Sequence, residues 1–272
     1  SILINQYYGN LGFHILDSTI GLANGHRLNF NQIPFNDYWA TSGFLTDIFQ
    51  SIFFSILGNS WQVYVFHASV FNFLFVCSIF FFLRYLNFNN NLILIYCLSS
   101  ATLMYPLSGV LLVDFHSLII CTLGLLLFIY STLENNKKII FLVPTIFVIG
   151  FLCKQIPAAY FILTIIVISL IYTHKYKTFW LIYYLSLGTI FALMSFALLL
   201  YFYKINLDNF IIQYIYFALS IFSNSQNESL LIQLKEAAKI KYLLMFFFLF
   251  YIRLIIENFP KNKKDFLICI SI

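Results

Sequence analysis

The sequence predicts an all-α fold, a polytopic transmembrane helical bundle. Three observations predict it. Of the 272 residues, 61% are hydrophobic and 21% aromatic, while 9% are charged, against about 25% charged in an ordinary soluble domain. The apolar residues gather in runs, several of them near the roughly 20 residues that a spanning helix needs. Between these runs lie short basic clusters, the pattern of membrane topology rather than of a nucleic-acid face. A water-soluble fold of this size has too little core to hide so much Phe, Ile and Leu.

The elements follow in order. Residues 1–43 are rich in Asn, Gly, Asp and Tyr, with His14, Asp17, His26, Arg27 and Asp37. They read as an ordered polar segment ahead of the first complete span. The weaker apolar stretch 44–57 contains Thr46, Asp47 and Gln50, which suits a helix lying along the membrane surface. Spans are expected near 61–83, 92–112, 116–133, 138–153, 156–173, 178–203 and 240–257, with another beginning at 266. Stretch 210–222 is a second interfacial helix, within the polar segment 204–239. The whole chain, 1–272, reads as one integral membrane domain: outer loop 1–60, spans 61–203, outer loop 204–239, spans 240–272. Ser1 in place of Met, and an apolar run cut at Ile272, make a piece of a longer chain the expectation.

Orientation follows from charge. If residues 1–60 lie on one side, the opposite side holds nine of the fifteen basic residues: Arg84, Lys137, Lys138, Lys175, Lys177, Arg253, Lys261, Lys263 and Lys264. Lys and Arg collect on cytoplasmic loops, so the polar segments fall outside, as in a bacterial inner-membrane protein. The five cysteines, Cys77, Cys97, Cys121, Cys153 and Cys269, show no metal-ligand spacing and read as small packing residues.

Ionisable groups at membrane depth are costly and tend to mark function. On this topology Asp17, Asp37, Asp114, His116, Lys154 and Gln155 come to the outer face. Asp17 suits a general base in a partly dry cavity or an N-cap before Ser18-Thr19-Ile20. Asp37, in Pro34-Phe35-Asn36-Asp37-Tyr38-Trp39, suits a chemical role or a turn. Asp114 and His116, in Asp114-Phe115-His116, suit a ligand pair or a helix cap. Lys154, between two long apolar runs, pairs with a lipid-linked phosphate or snorkels to the interface.

Several segments, in order, resemble the GT-C membrane glycosyltransferases. They are Gln32-Ile33-Pro34-Phe35-Asn36-Asp37-Tyr38-Trp39 with Ser42-Gly43-Phe44-Leu45, Ile56-Leu57-Gly58-Asn59-Ser60, Met104-Tyr105-Pro106 with the Asp114 region, and Phe151-Leu152-Cys153-Lys154-Gln155. The nearest branch is related to dolichyl-phosphate-mannose–protein mannosyltransferases and the lipid A aminoarabinose transferase. The resemblance covers most of 10–160. Phe35 stands where Tyr is usual, and Asn36 where Arg is usual. Ser18 after Asp17 removes the Asp-Glu pair, so a divalent metal stays open and no other cofactor is implied.

The resemblance implies a GT-C-like bundle with short interfacial helices in its first outer loop. It implies inverting hexosyl or pentosyl transfer from a polyprenyl-phosphate-linked sugar to a lipid, glycan or protein acceptor. Asp17 would deprotonate the acceptor. Lys154, with Gln155, would stabilise the departing phosphate, and Asp37, Asp114 and His116 would bind substrate. The partners expected are that donor, that acceptor and membrane lipids, with no nucleic acid. The rivals are a transporter or flippase of lipid-linked sugars and a polysaccharide polymerase or ligase.

Overall fold

The computed structural model describes residues 1–11, 19–40, 43–104 and 109–224. The described residues form helices and turns without a strand; a single bridge joins Pro34 to Tyr38. In chain order the helices are α1 (Ile2–Gly9), α2 (Ile20–Asn29), α3 (Phe44–Leu57), α4 (Trp61–Tyr85), α5 (Asn90–Leu103), α6 (Val113–Leu133), α7 (Lys137–Cys153), α8 (Gln155–Tyr176) and α9 (Trp180–Phe202). After α9 come α10 (Leu207–Phe210), a π-helical turn (Ile211–Tyr216) and α11 (Phe217–Asn224).

Among the described residues four helices are long and apolar enough to cross a membrane: α4 (25 residues), α6 (21), α8 (22) and α9 (23). Their exposure identifies the solvent. In the most apolar window of α9, 17% of residues are buried, and Ile190, Leu193, Met194 and Leu198 are exposed. Water would not tolerate such a face, whereas lipid would.

Capping and turn residues set the boundaries. Ser60 accepts a hydrogen bond from the Val63 amide at the start of α4, and Asn136 accepts one from Ile139 at the start of α7. Each cap satisfies an amide that the first helical turn leaves unpaired. Asn87, Asn135 and Lys177 adopt positive φ just past α4, α6 and α8, closing short connections. Those connections share one end of the bundle. There the Tyr85 hydroxyl donates to the Glu134 carboxylate, and the Lys137 ammonium lies 5.8 Å from the Tyr184 ring centre. Arg84, Lys137, Lys138, Lys175 and Lys177 all belong to this end.

The opposite end joins the polar segments on either side of the long helices. The Asn36 amide donates to the Lys204 carbonyl at 2.9 Å, and the Asn206 amide donates to Asn36 Oδ1 at 3.2 Å. Gln213 Nε2 donates to the Phe35 carbonyl at 2.8 Å. Phe35 has φ +67°, unusual for an aromatic residue. Its buried ring packs against Phe44, Phe210 and Tyr214.

Helix α7 is the centre of the bundle and packs on α3, α6, α8 and α9. At Gly188 of α9 a Cβ would come within 2.1 Å of the Phe141 carbonyl oxygen. Only glycine allows α7 and α9 to approach so closely, the usual device where lipid supplies no hydrophobic drive.

The structure differs from the sequence expectations in two places. Residues 2–9, expected within a polar loop, form a helix packed on α4, where Asn5 Nδ2 donates to Ser69 Oγ at 2.9 Å. The run 92–112 is not one span. Helix α5 has 14 residues, about 21 Å of rise, and ends at Leu103, where Met104 turns out of the helix with φ −85° and ψ −106°. Stretch 210–222, expected as a helix, lies within an unbroken helical run that passes from α10 through the π-helical turn into α11. The spans expected at 240–257 and from 266 lie outside the described residues.

Candidate functional site

The site is built on the start of α3. Gly43 precedes that helix with φ +100°, and its carbonyl accepts from Thr46 Oγ1 at 2.6 Å. A Cβ at Gly43 would lie 1.6 Å from the Cys153 carbonyl oxygen. The first turn of α3 is therefore held against the α7–α8 junction, and Asp47 and Lys154 face one cavity of about 220 Å³. Ile20, Gly21, Leu111, Leu112, Val113 and Asp114 complete its lining. Helix α2, α3, the start of α6 and the α7–α8 junction thus each contribute to one chamber.

Lys154 is half-buried and extended (φ −159°, ψ 135°), the single residue between α7 and α8. Its carbonyl accepts from Ser117 Oγ at 3.0 Å, which ties the junction to α6. No ion pair to its ammonium is found among the described residues. Asp114 is exposed in the first turn of α6, where the helix dipole favours a carboxylate.

Asp47 is 3% exposed. Its Oδ2 accepts from the Tyr38 hydroxyl at 3.2 Å, and the Asn24 side chain is a second partner. Burial pushes its carboxyl up to about 7, opposed by the bonds from Tyr38 and Asn24 and by the Arg27 charge. Arg27 sits 5.4 Å from the Tyr38 ring centre. The Tyr38 phenol is pushed upward, first by burial and then by the Asp47 charge.

This has a consequence for stability. The unfolded chain loses the Asp47 proton near pH 4, roughly, and the folded chain holds it to about pH 7. The contribution is full below the unfolded value and is lost as pH rises towards the folded one. Asp47→Asn, neutral at every pH, is expected to melt higher than the parent at about pH 8 and to lose this slope, with a ceiling of about 4 kcal/mol. Thermal unfolding in detergent at about pH 5 and about pH 8 checks it; equal shifts at both would refute it.

Beside the cavity runs a buried polar chain. His67 Nδ1 lies 2.8 Å from Gln50 Oε1, and His67 Nε2 lies 3.1 Å from His116 Nε2. An amide oxygen only accepts, so His67 carries its proton on Nδ1. Its Nε2 is then bare, and His116 Nε2 must donate. Phe53 stacks on His67 at 4.6 Å, and Phe71 lies 4.1 Å from the His116 ring. Removing the middle member takes one hydrogen bond from each neighbour in a dry interior. His67→Leu is expected to lower bundle stability by about 1–3 kcal/mol. Adding Gln50→Leu should recover part of that loss in detergent melting.

The candidates from sequence therefore separate. Asp114 and Lys154 meet at the cavity. His116 turns to His67, and Gln155 Nε2 donates to the Tyr214 carbonyl at 2.7 Å. Asp37 lies on an exposed turn, where Oδ2 accepts from the Ile33 amide at 2.6 Å; it is not among the residues lining the cavity. Asp17, like His14, lies outside the described residues. Among the described residues no group of three or more His, Cys, Asp or Glu is placed to hold a metal ion.

Sequence reasoning did not select Asp47, Gln50 and His67. The available signal was polarity inside apolar runs: Asp47 and Gln50 are one turn apart in 44–57, and His67 interrupts 61–83. No protein-family model, curated protein or solved structure matches the chain.

Proposed function

We propose that the chain belongs to a multi-pass membrane glycosyltransferase. It moves a sugar from a polyprenyl-phosphate donor to an acceptor on the extracytoplasmic face. The observation that carries this reading is the cavity in which Lys154 and the carboxylates of Asp47 and Asp114 converge from three separate parts of the chain. It lies at the end of the bundle opposite the basic connections, the side that the positive-inside rule assigns to the exterior. A lipid-borne phosphate arrives at that depth.

The chemistry divides between cation and carboxylate. The acceptor hydroxyl or amine attacks the anomeric carbon, and the bond from that carbon to the phosphate oxygen breaks with inversion. The electron pair leaves on the phosphate, where the Lys154 ammonium offsets the growing charge. The acceptor proton goes to a carboxylate. Asp17 keeps that role by resemblance, and in sequence it stands three residues before Ile20 on the cavity wall. Asp114 serves to orient sugar hydroxyls.

A transporter would place ionisable groups near the bilayer midplane. Here His67 is the seventh residue of α4, about 9 Å from its start, and His116 is the fourth residue of α6. Both sit towards the cavity end. The test uses membranes carrying the full-length protein, fed with labelled polyprenyl-phosphate sugars. Glycosylated product should form with the parent and disappear with Asp17→Asn at unchanged expression. Accumulation of lipid-linked sugar in proteoliposomes without any product would show a transporter instead.

A further inference from the structure

The cavity holds a charge problem that glycosyl transfer alone does not explain. Its wall carries two carboxylates, Asp47 and Asp114, against one ammonium, Lys154. With both carboxylates ionised, the chamber is negative before any substrate enters. A phosphodiester adds another negative charge within the same 220 Å³. A carboxylate already short of water is the group that gives way.

We propose that the cavity takes up its anionic phosphodiester substrate together with a proton, and that Asp47 is the residue that holds the proton. This rests on the reading of the cavity as a site for a lipid-linked sugar phosphate, and it adds a coupling that the reading does not require.

The geometry singles out Asp47. Asp114 is exposed at the start of α6, where water screens it. Asp47 is buried, and among the described residues its polar side-chain contacts are the Tyr38 hydroxyl and the Asn24 side chain. A neutral carboxyl keeps the Tyr38 bond through its carbonyl oxygen and gains a donor of its own. The charged and titratable groups facing Asp47 come from every element around it. They are Arg27 of α2, Tyr38 of the preceding loop, Tyr64 of α4, Asp114 of α6, Cys153 of α7, Lys154 at the junction and Tyr214 of the π-helical turn. Among the described residues Arg27 is the one cation besides Lys154. It reaches Asp47 from the Tyr38 side, not from the cavity lining. Burial already holds the carboxyl up to about 7, so a modest added field suffices to keep it protonated.

The consequence is a pH dependence of affinity with a defined sign. Below the midpoint Asp47 is already neutral, and binding moves no proton. Above it, each bound anion draws in one proton, and affinity falls by up to about tenfold per pH unit. The ionised site thus discriminates against its own substrate.

The test uses the full chain in detergent and farnesyl methyl phosphate as probe. A phosphodiester keeps one charge from about pH 5 to about pH 9, so any slope belongs to the protein. Calorimetry in buffers of different ionisation enthalpy counts the protons taken up. The parent should bind with about one proton gained at about pH 8 and none at about pH 5. Asp47→Asn should bind with the parent's low-pH affinity throughout and take up no proton. His67→Gln should keep the parent's slope, which separates Asp47 from the buried histidines. Binding without a slope, or a slope kept by Asp47→Asn, overturns the coupling and leaves the transferase reading standing. No binding at any pH overturns both.

Discussion

Lys154→Gln is expected to lower sugar transfer by about a hundredfold to a thousandfold, the range found when a donor aimed at developing charge is removed. Glutamine is near in length and still polar, so packing is hardly altered. The structural duty of this position is met by its backbone, because Ser117 binds the carbonyl. The fold should therefore survive, and melting in detergent should move little. The loss should appear more in kcat than in KM, since the phosphate gains its second charge only as the sugar leaves. Lys154→Arg should restore part of the rate, because charge is kept while geometry shifts. A Gln variant that retains full kcat would remove Lys154 from the chemistry and return it to a lysine at the membrane interface.

Gly43→Ala is expected to be the most damaging single-methyl substitution in the described residues. Two effects add. The backbone at φ +100° is one that an L side chain rarely adopts. The new methyl would also stand 1.6 Å from a backbone oxygen, that of Cys153, and backbone cannot rotate away as a side chain can. The start of α3 must then lift off the α7–α8 junction, which opens the buried contacts of Phe44 and Leu45 and pulls Asp47 from Lys154. A cost of about 3–5 kcal/mol is expected, the scale of severe overpacking combined with strain. Lower yield of folded protein and loss of transfer should accompany it. Gly58→Ala is the control: it too has positive φ, but open space surrounds it, so only the backbone strain remains. Equal effects at the two positions would show that the contact with Cys153 does not matter.

Much of the bundle was legible because lipid imposes a simple rule. Apolar runs long enough to span were found within a few residues of α4, α6, α8 and α9. Residues 92–112 misled because hydropathy does not register where a helix must stop, although Pro106 and Gly109 stand inside the run. Helix α1 was hidden for the opposite reason. The side-chain amides of its polar residues, Asn5 and Gln6, donate to Ser69 of α4, and a partner distant in sequence leaves no local trace.

The site was legible in part. Lys154 and Asp114 were visible as charges at the ends of apolar runs, and the structure brings them to one cavity. Asp47 was not singled out because it sits in a helix whose apolar face dominates the local pattern. Its importance comes from contacts with Tyr38 and Asn24, which only the fold creates. Asp37 shows the reverse. It stands out in sequence beside Pro34 and Tyr38, yet its carboxylate closes a local turn.

The Gln50–His67–His116 chain has one more consequence. Its hydrogen bonds are directional, and each member lies on a different helix, α3, α4 or α6. Each helix is thereby fixed in rotation about its own axis, as pins fix a lock cylinder. A lineage that loses one of the three gains nothing by keeping the other two, because a stranded imidazole or amide inside lipid is worse than leucine. These three positions should therefore drift as a unit across related sequences, polar together or apolar together, while their aromatic neighbours exchange freely. An alignment showing His67 and Gln50 varying independently would mean that other contacts set the azimuth of these helices.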